Sequence, residues 1–482
     1  MSEAIEQLRV AFDARLWFYT LVGTVLALVA GFIIARFGVV GIAAMALVPI
    51  VLAVVVAALI QPRIGLIIYL QLCFIVNGLF RVVPVTLPYG MMADAALVLS
   101  LLGVLLNAKR MDWKQLKSPI FYLVIGWFVY TVLLIFNPLS PYTPAWIFAV
   151  RAISLYWVQV TMLSLLLFKT RKDIELLIRL WLMWSVLAAL WAFKQQYIGL
   201  TPGEIQWLNA GAAKTHMLFG HLRSFSFYSD AGQFGAEMAY ATLLATIRLL
   251  EEKGFWRKLI YAVLAVTLFW GYAVSGTRGA LSVLLVGLPL YALLRGNIGL
   301  LVAGVFLAGS LFGILKFTSI GGSNYQIHRM RTALDPDDES FQVRLENQRK
   351  LDEYMSDKPF GVGIGTSGDW GRRFAPGSFL AETPPDSWLV KIWIETGLVG
   401  LVLFSTVILS AFIIGYLQIV QLKDQQMKIA MASFLAGFLG ICVASYGNPI
   451  FGQFPTNSIM YISISIFTTC VRFEKSTAHN VT

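Results

Sequence analysis

The sequence predicts an all-α integral membrane protein with about 12–14 transmembrane helices and one large extracytoplasmic loop. Composition is the first indication: hydrophobic residues make up 58% of the 482 residues, charged residues only 13%, and mean hydropathy is +0.73. Soluble globular chains carry roughly 45–50% apolar and 25% charged residues. A chain with so little charge needs a bilayer as its solvent.

Apolar runs of spanning length are the second indication, and about fourteen recur along the chain, although the third and the tenth are short. They lie at residues 16–35, 39–60, 64–80, 89–107, 119–137, 145–168, 175–198, 228–250, 258–275, 279–295, 298–317, 397–420, 427–446 and 454–472. The polar N-terminus lacks the features of a cleavable signal, so the first run is expected to remain in the protein.

These runs divide the chain into a transmembrane bundle over residues 1–317, a large polar loop over 318–387 and C-terminal transmembrane helices over 388–482. Within the loop, Phe341, Leu345, Leu351 and Met355 recur at helical spacing. This spacing predicts a short amphipathic helix over residues 340–355, with Ser340 as its N-cap.

Basic residues mark every second connection between the spans, which predicts the orientation of the chain. They include Lys109, Arg110, Lys114, Lys117, Lys169, Arg171, Lys172, Arg248, Lys253, Arg257, Lys258, Arg295, Lys423, Lys428, Arg472 and Lys475. Cytoplasmic loops are enriched in Lys and Arg, so we expect both termini inside and the large loop outside. The same bias accounts for the net charge of +11. Since the basic residues form no single face, no nucleic-acid partner is expected.

Cysteine and histidine positions predict neither a disulfide framework nor a metal site. Cys73, Cys442 and Cys470 all lie in apolar segments, where they are expected to be small core or lipid-facing residues. His216 and His221 lie on the predicted outer side without metal-ligand spacing. We therefore expect no metal and no cofactor.

Charged residues near membrane depth are costly and are candidates for function. A guanidinium group presents a fixed fork of donors that suits phosphate, although an interfacial arginine can also simply extend its charge into water. The candidates are the arginines Arg151, Arg223, Arg278 and Arg344 and the carboxylates Asp230, Asp386 and Glu395. Lys391 lies four residues before Glu395, a spacing typical of a plain helical ion pair.

The segment GVGIG, with Gly361, Gly363 and Gly365, resembles a phosphate-binding loop only superficially. No strand–turn–helix unit surrounds it, and it lies in the predicted outer loop. These glycines are expected to form tight turns that shape a cavity.

Four segments, in this order, resemble motifs of the O-antigen ligase and Wzy-type polysaccharide polymerase superfamily. They are RSFSFYSDAGQFGA beginning at Arg223, SGTRGA containing Arg278, KPFGVGIGT at 358–366 and DSWLVKIWIETGLVGL at 386–401. Outside this part of the chain, the first half resembles the superfamily only in hydropathy.

The resemblance implies a GT-C-like fold and a metal-independent inverting glycosyltransferase in the cytoplasmic (inner) membrane. It implies a donor glycan on undecaprenyl pyrophosphate, arginines that hold the pyrophosphate, and a base near the end of the loop that deprotonates a glycan acceptor. A chain-length regulator or export machinery would be further partners.

The chain departs from the ligase pattern at one position, because the histidine of the ligases falls on Asp386 and the following asparagine on Ser387. This difference favours an exopolysaccharide or O-antigen polymerase. The alternatives are an O-antigen ligase or a protein O-glycosylating ligase and, from another class, a lipid-linked oligosaccharide transporter (flippase). Transporters often contain internal repeats, and we find none here.

Overall fold

The computed structural model describes residues 45–82, 89–140, 142–319, 325–332 and 337–474, with isolated positions before residue 45. The described chain is almost entirely helical, which confirms the all-α polytopic fold. Eight helices in these ranges are long and apolar enough to cross a membrane. The first predicted span, residues 16–35, lies almost entirely outside the described residues.

The first half of the chain forms long apolar helices followed by short ones. They are α1 Met45–Ile60, α2 Pro62–Val82, α3 Gly90–Leu106, α4 Pro119–Leu133, α5 Thr143–Val150, α6 Tyr156–Leu167, α7 Arg171–Phe193, α8 Pro202–Trp207 and α9 Ala213–His216. A π-helical turn, Arg151–Leu155, joins α5 and α6 into one span. A two-stranded antiparallel ribbon follows, with β1 Met217–Leu218 paired to β2 His221–Leu222.

The second half continues the bundle and adds the helices of the large loop. They are α10 Ala231–Glu251, α11 Phe255–Val274, α12 Leu281–Arg295, α13 Ile298–Phe317, α14 Tyr325–Thr332, α15 Glu339–Met355, α16 Gly368–Phe374, α17 Phe379–Glu382, α18 Trp388–Gln421, α19 Gln425–Ala444 and α20 Thr456–Phe467. Each predicted span from the second onward overlaps a helix.

The basic connections meet at one end of the bundle, which we call the basic end. There Arg171 on α7 pairs with Asp424 before α19 at 3.2 Å, and Arg295 at the end of α12 pairs with Glu251 at the end of α10 at 2.9 Å. Arg472 donates to a carbonyl of the α6–α7 connection at 3.1 Å. The same helices begin or end near the large loop at their other ends, which we call the loop end.

Helix α10 lies at the centre of the bundle and is buried along most of its length, packing against α7, α11, α12 and α19. Small residues in α10 let neighbouring backbone come close. A Cβ on Gly235 would lie 2.3 Å from Ser275 Oγ and 2.7 Å from Thr277 Cβ. The turn that precedes α12 therefore packs directly on the first turns of α10.

Helix α18 is kinked at Gly397, where φ is 72°, and the glycine-rich turn packs into the kink. All three glycines have positive φ, at 75° for Gly361, 101° for Gly363 and 85° for Gly365. The N–H of Val362 donates to the carbonyl of Ile394 at 2.9 Å. The turn thus pairs with exposed backbone groups at the kink.

Helix α15 begins one residue earlier than predicted and has a different cap. The carboxylate of Asp338 accepts from the N–H of Phe341 at 3.1 Å, so the expectation of Ser340 as the cap is wrong. An ionised carboxylate at this position also interacts favourably with the helix dipole. The C-terminal half of α15 packs on the protein through Leu351 and Met355, both buried.

Candidate functional site

A cavity of about 550 Å³ at the loop end brings most of the predicted site residues together. Its described lining has an excess of positive charge, with six cationic side chains and two carboxylates. The cations are Lys214, Arg223, Arg278, Arg329, Arg344 and Arg372, and the carboxylates are Asp230 and Asp386. Residues more than a hundred positions apart in sequence therefore form one cationic wall.

Arg223 is positioned by the ribbon. The two-residue turn between its strands has positive φ at both Phe219 and Gly220, the geometry that matches the twist of a hairpin. The side chain of Arg223 then spans to the next turn, donating to the carbonyl of Ser275 at 3.0 Å and to Thr277 Oγ1 at 3.2 Å. These bonds fix the guanidinium beside Arg278.

Arg278 forms a two-pronged ion pair with Asp338, with Nη1–Oδ2 at 2.7 Å and Nη2–Oδ1 at 3.0 Å. Both side chains are largely buried. The guanidinium of Arg278 holds the pKa of the Asp338 carboxyl below its ordinary value. Because two parallel N–H···O bonds are also how arginine binds phosphate, Asp338 occupies the donors that a phosphate would use.

Helix α15 contributes Arg344 to the cavity wall and carries Asn347 about one turn later. Arg344 lines the cavity close to Gly447. Asn347 Nδ2 donates to Asp386 Oδ2 at 3.3 Å. The helix that Asp338 caps therefore also places a cation and an amide donor next to the predicted base.

Asp386 lies in a strained turn at the edge of the same cavity. Its φ is 48°, and the N–H of Ser387 donates to the carbonyl of Pro385 at 2.5 Å. A three-residue turn with positive φ at its centre is rare and strained, and such strain is concentrated at functional sites. The turn places Asp386 in the cavity lining two residues before α18 begins.

Asp230 and His216 fix the N-terminus of α10 at the cavity wall. Asp230 caps the helix by accepting from the N–H of Gln233 at 3.0 Å. His216 Nδ1–H donates to the carbonyl of Ala212 at 2.9 Å, and its Nε2 accepts from the N–H of Ala231 at 3.1 Å. Burial lowers the pKa of His216. Because Nε2 accepts a hydrogen bond, the imidazole is neutral, and both of its nitrogens are occupied by structural bonds.

Arg151 lies apart from the other arginines, in a second cavity. It pairs with Asp94 on α3, whose other oxygen accepts from Tyr156 Oη at 2.6 Å. Its charge is therefore balanced by a carboxylate that was not among the predicted site residues.

Glu395 does not line the first cavity described above. It is fully buried in α18, where it pairs with Lys391 and accepts from Ser367 Oγ at 2.6 Å. It ties the end of the glycine-rich turn to α18. The i,i+4 spacing of Lys391 and Glu395 had suggested this helical pair.

Sequence reasoning missed the cavity cations Lys214, Arg329 and Arg372, because nothing in their surroundings distinguishes them from other loop cations. It also missed Arg81, which is buried in α2 and donates to the carbonyls of Tyr228 at 2.5 Å and Ser229 at 2.9 Å. A charged residue directly at the end of an apolar run was the available signal. Arg81 holds the segment that carries the α10 cap.

Cationic donors at fixed positions can bind a pyrophosphate without a metal ion, since they neutralise charge where it develops. Within the described ranges, no group of three or more His, Cys, Asp or Glu side chains is placed to hold a metal. The adjoining carboxylate of Asp386 adds a proton acceptor within the same space.

Residues 263–405 match the model of the family described as O-antigen ligase. The segment includes Arg278, Arg344 and Asp386 and the glycine-rich turn, and it confirms the resemblance to the O-antigen ligase superfamily over this part of the chain. No curated protein matches the chain significantly.

Proposed function

We propose that the protein is a polysaccharide polymerase that transfers a glycan from undecaprenyl pyrophosphate to the end of a glycan acceptor at the outer face of the cytoplasmic membrane. The convergence of Arg223, Arg278 and Arg344 with Asp386 on one cavity carries the proposal. The family match supports a glycan-transferring activity of the O-antigen ligase type.

In this proposal the three arginines bind the pyrophosphate. The phosphate oxygens displace the carboxylate of Asp338 from the N–H donors of Arg278. The same step releases Asp338, the N-cap of α15, from its ion pair. Because Arg344 lies on α15, the exchange also adjusts the position of a second arginine over the pyrophosphate. Substrate binding is thereby coupled to the helix that covers the cavity.

The reaction breaks the bond between the anomeric carbon and the pyrophosphate oxygen. The acceptor hydroxyl oxygen attacks the anomeric carbon from the opposite face, which inverts its configuration. Asp386 takes the hydroxyl proton, and undecaprenyl pyrophosphate leaves with the electron pair. The arginines stabilise the negative charge that develops on the leaving group.

The test is a transfer assay with purified protein in lipid nanodiscs and lipid-linked repeat units as substrate. Wild-type protein is expected to produce a ladder of chain lengths. Removing one donor at such a site costs about 10²–10³ in kcat, so Arg223→Ala and Arg278→Ala are each expected to lose activity by that order. Arg257→Ala is the matched control, because Arg257 is an exposed arginine near the basic end, in the first turn of α11.

Full ladders from both arginine variants would refute the arginine site. A single transfer to a foreign acceptor would identify a ligase in place of a polymerase. Movement of the lipid-linked oligosaccharide across vesicles without elongation would identify a transporter.

A further inference from the structure

A second cavity of about 450 Å³ adjoins the first. Gln453 lines both cavities. Ser229 lines the second cavity, and the next residue, Asp230, lines the first. On α16, Trp370 lines the second cavity and Arg372 lines the first. The two cavities are therefore separated by single layers of side chains. Their volumes are in the roughly 300–1,000 Å³ range of small-molecule sites.

An aromatic wall distinguishes the second cavity. The rings of Phe148 and Trp370 are stacked, with centroids 5.2 Å apart and an interplanar angle of 18°. The lining also includes Phe454 and Tyr156, whose ring centroids are 5.2 Å apart. Phe148 is 38% exposed although it is a large aromatic residue. The guanidinium carbon of Arg373 lies 5.7 Å from the centroids of both the Phe148 and the Trp370 ring, and the ring surface that remains exposed lines a polar cavity, where the flat face of a ligand can pack.

Neutral hydrogen-bonding groups occupy part of the remaining wall, which also contains the carboxylate of Asp369, paired with Arg372. Amide side chains are contributed by Asn77, Gln453 and Asn457, and Asn457 is almost completely buried. The positive charge of Arg151 is balanced by Asp94. In contrast to the first cavity, the second therefore has no excess of cations to attract a phosphate among its described lining residues.

This combination matches the chemistry of a sugar ring. A pyranose has C–H groups on one face, which pack on aromatic rings, and hydroxyl groups at its edge, which both donate and accept hydrogen bonds. Amides can also donate and accept, and a paired Arg–Asp group presents both kinds of atom.

We infer that the second cavity binds one saccharide unit of the glycan, stacked on Phe148 and Trp370 beside the reacting bond. The inference rests on the proposed function, which supplies the glycan, and it extends that function by locating the sugar next to the pyrophosphate. The sugar belongs either to the donor or to the acceptor.

The experiment measures binding and needs no turnover. The probe is the free repeat-unit oligosaccharide released by mild acid from the lipid-linked precursor of the source cells, titrated into full-length protein in nanodiscs. Trp370→Ala and Phe148→Ala are each expected to raise Kd about tenfold, the upper range for an aromatic stacking contact. Trp370→Phe keeps a ring and is expected to stay within about threefold of wild type.

Phe379→Ala is the matched control, because Phe379 is a similarly exposed aromatic in the same loop and lines neither cavity. Thermal unfolding of each variant checks the fold. Should Trp370→Ala fail to fold, Phe148→Leu decides, since it keeps apolar volume and removes the ring. Wild-type affinity in the folded ring-removing variants overturns the inference.

Competition separates the two sources of the sugar. The competitor is a lipid-linked unit whose acceptor hydroxyl is blocked, so that it can act only as the donor. If it displaces the free oligosaccharide, the cavity holds the donor sugar. If both bind together, it holds the acceptor sugar. Arg278→Ala should leave binding of the free oligosaccharide unchanged, so failure of the pyrophosphate site and failure of the saccharide site give different results.

Discussion

At the scale of single residues, Asp386 is held at φ 48°, where a side chain with a Cβ costs roughly 1–2 kcal/mol. Asparagine tolerates the same backbone region and keeps an oxygen that can accept from Asn347, but it cannot take a proton. We expect Asp386→Asn to fold normally and to lose about 10²–10⁴ in transfer rate, the usual contribution of a general base. A single-turnover transfer assay measures this loss.

The variant Asp386→Gly separates the effect of backbone strain on stability from the effect of the carboxylate on activity. Glycine adopts positive φ without a steric penalty, so this variant is expected to be as stable as wild type or more stable, and inactive. Full activity in either Asp386 variant would rule out Asp386 as the base.

His216 makes stability depend on pH. Its pKa is lowered by burial from the ordinary value of 6.5, with Asp230 acting in the opposite direction and Arg223 in the same direction. The stability that the neutral ring contributes is present above pH 6.5 and is lost as the pH falls below that value toward the folded pKa. In the acid range the melting temperature of the wild type is expected to fall.

Glutamine in place of His216 can accept a hydrogen bond from the N–H of Ala231 but does not titrate. The melting temperature of His216→Gln is therefore expected to decrease less than that of wild type between about pH 7 and pH 5.5. Parallel curves for the two proteins would show that another group controls this range.

The sequence indicated most of the charged residues of the site but not which of them form ion pairs. Arg223, Arg278, Asp230 and Asp386 stand out as charges near the apolar runs and Arg344 as a cation in the predicted loop helix, and all five line one cavity. The partner of Arg278 could not be predicted, because Asp338 is one of several acidic residues in DPDDE and only the position of α15 selects it. The partner of Arg151 could not be predicted either, because Asp94 lies in another helix and only the packing of the helices brings the two side chains together.

At the scale of elements, the glycine-rich turn and the kink in α18 form one unit. Positive φ at Gly363 and a Cβ position 2.5 Å from Ser140 Cβ exclude a side chain there. Gly363→Ala is expected to reduce the free energy of unfolding by about 2–4 kcal/mol, from backbone strain and overpacking together. Thermal unfolding in detergent measures it.

Gly304 provides the control, since it lies in helix α13 and a Cβ added there would meet no heavy atom of the described residues within 4 Å. Alanine there is expected to be neutral or stabilising by up to about 1 kcal/mol. Equal effects of the two substitutions would contradict the tight packing at Gly363.

Helix positions were predictable because long apolar runs have few alternatives in a bilayer. The short elements were not. The ribbon at Met217–Leu222 has only two paired residues on each strand, too few for an alternating pattern. The cap of α15 was misplaced because both Asp338 and Ser340 are good caps, and the ion pair with Arg278 favours the first.

At the scale of the whole molecule, the structure separates a basic end from a loop end, and the orientation in the membrane stays a prediction. Phe379→Cys at the loop end and Phe255→Cys near the basic end place exposed thiols on opposite sides; these side chains are 39% and 71% exposed. In spheroplasts, a membrane-impermeant maleimide is expected to label only Phe379→Cys.

Wild-type protein supplies the background of the native thiols, of which Cys73 and Cys470 are buried and Cys442 is partly exposed. After permeabilisation both variants should react. Labelling of Phe255→Cys alone in sealed spheroplasts would reverse the orientation.

The kink at Gly397 also has a consequence for depth. Residues 398–421 continue α18 for about 36 Å at 1.5 Å per residue, enough to cross a hydrocarbon core of about 30 Å. The preceding turns of α18, with Asp386 just before them, then project beyond the acyl chains. A polyprenyl lipid whose tail stays in the bilayer would present its charged head at this level, so the donor of the proposed reaction would reach Asp386 without leaving the membrane.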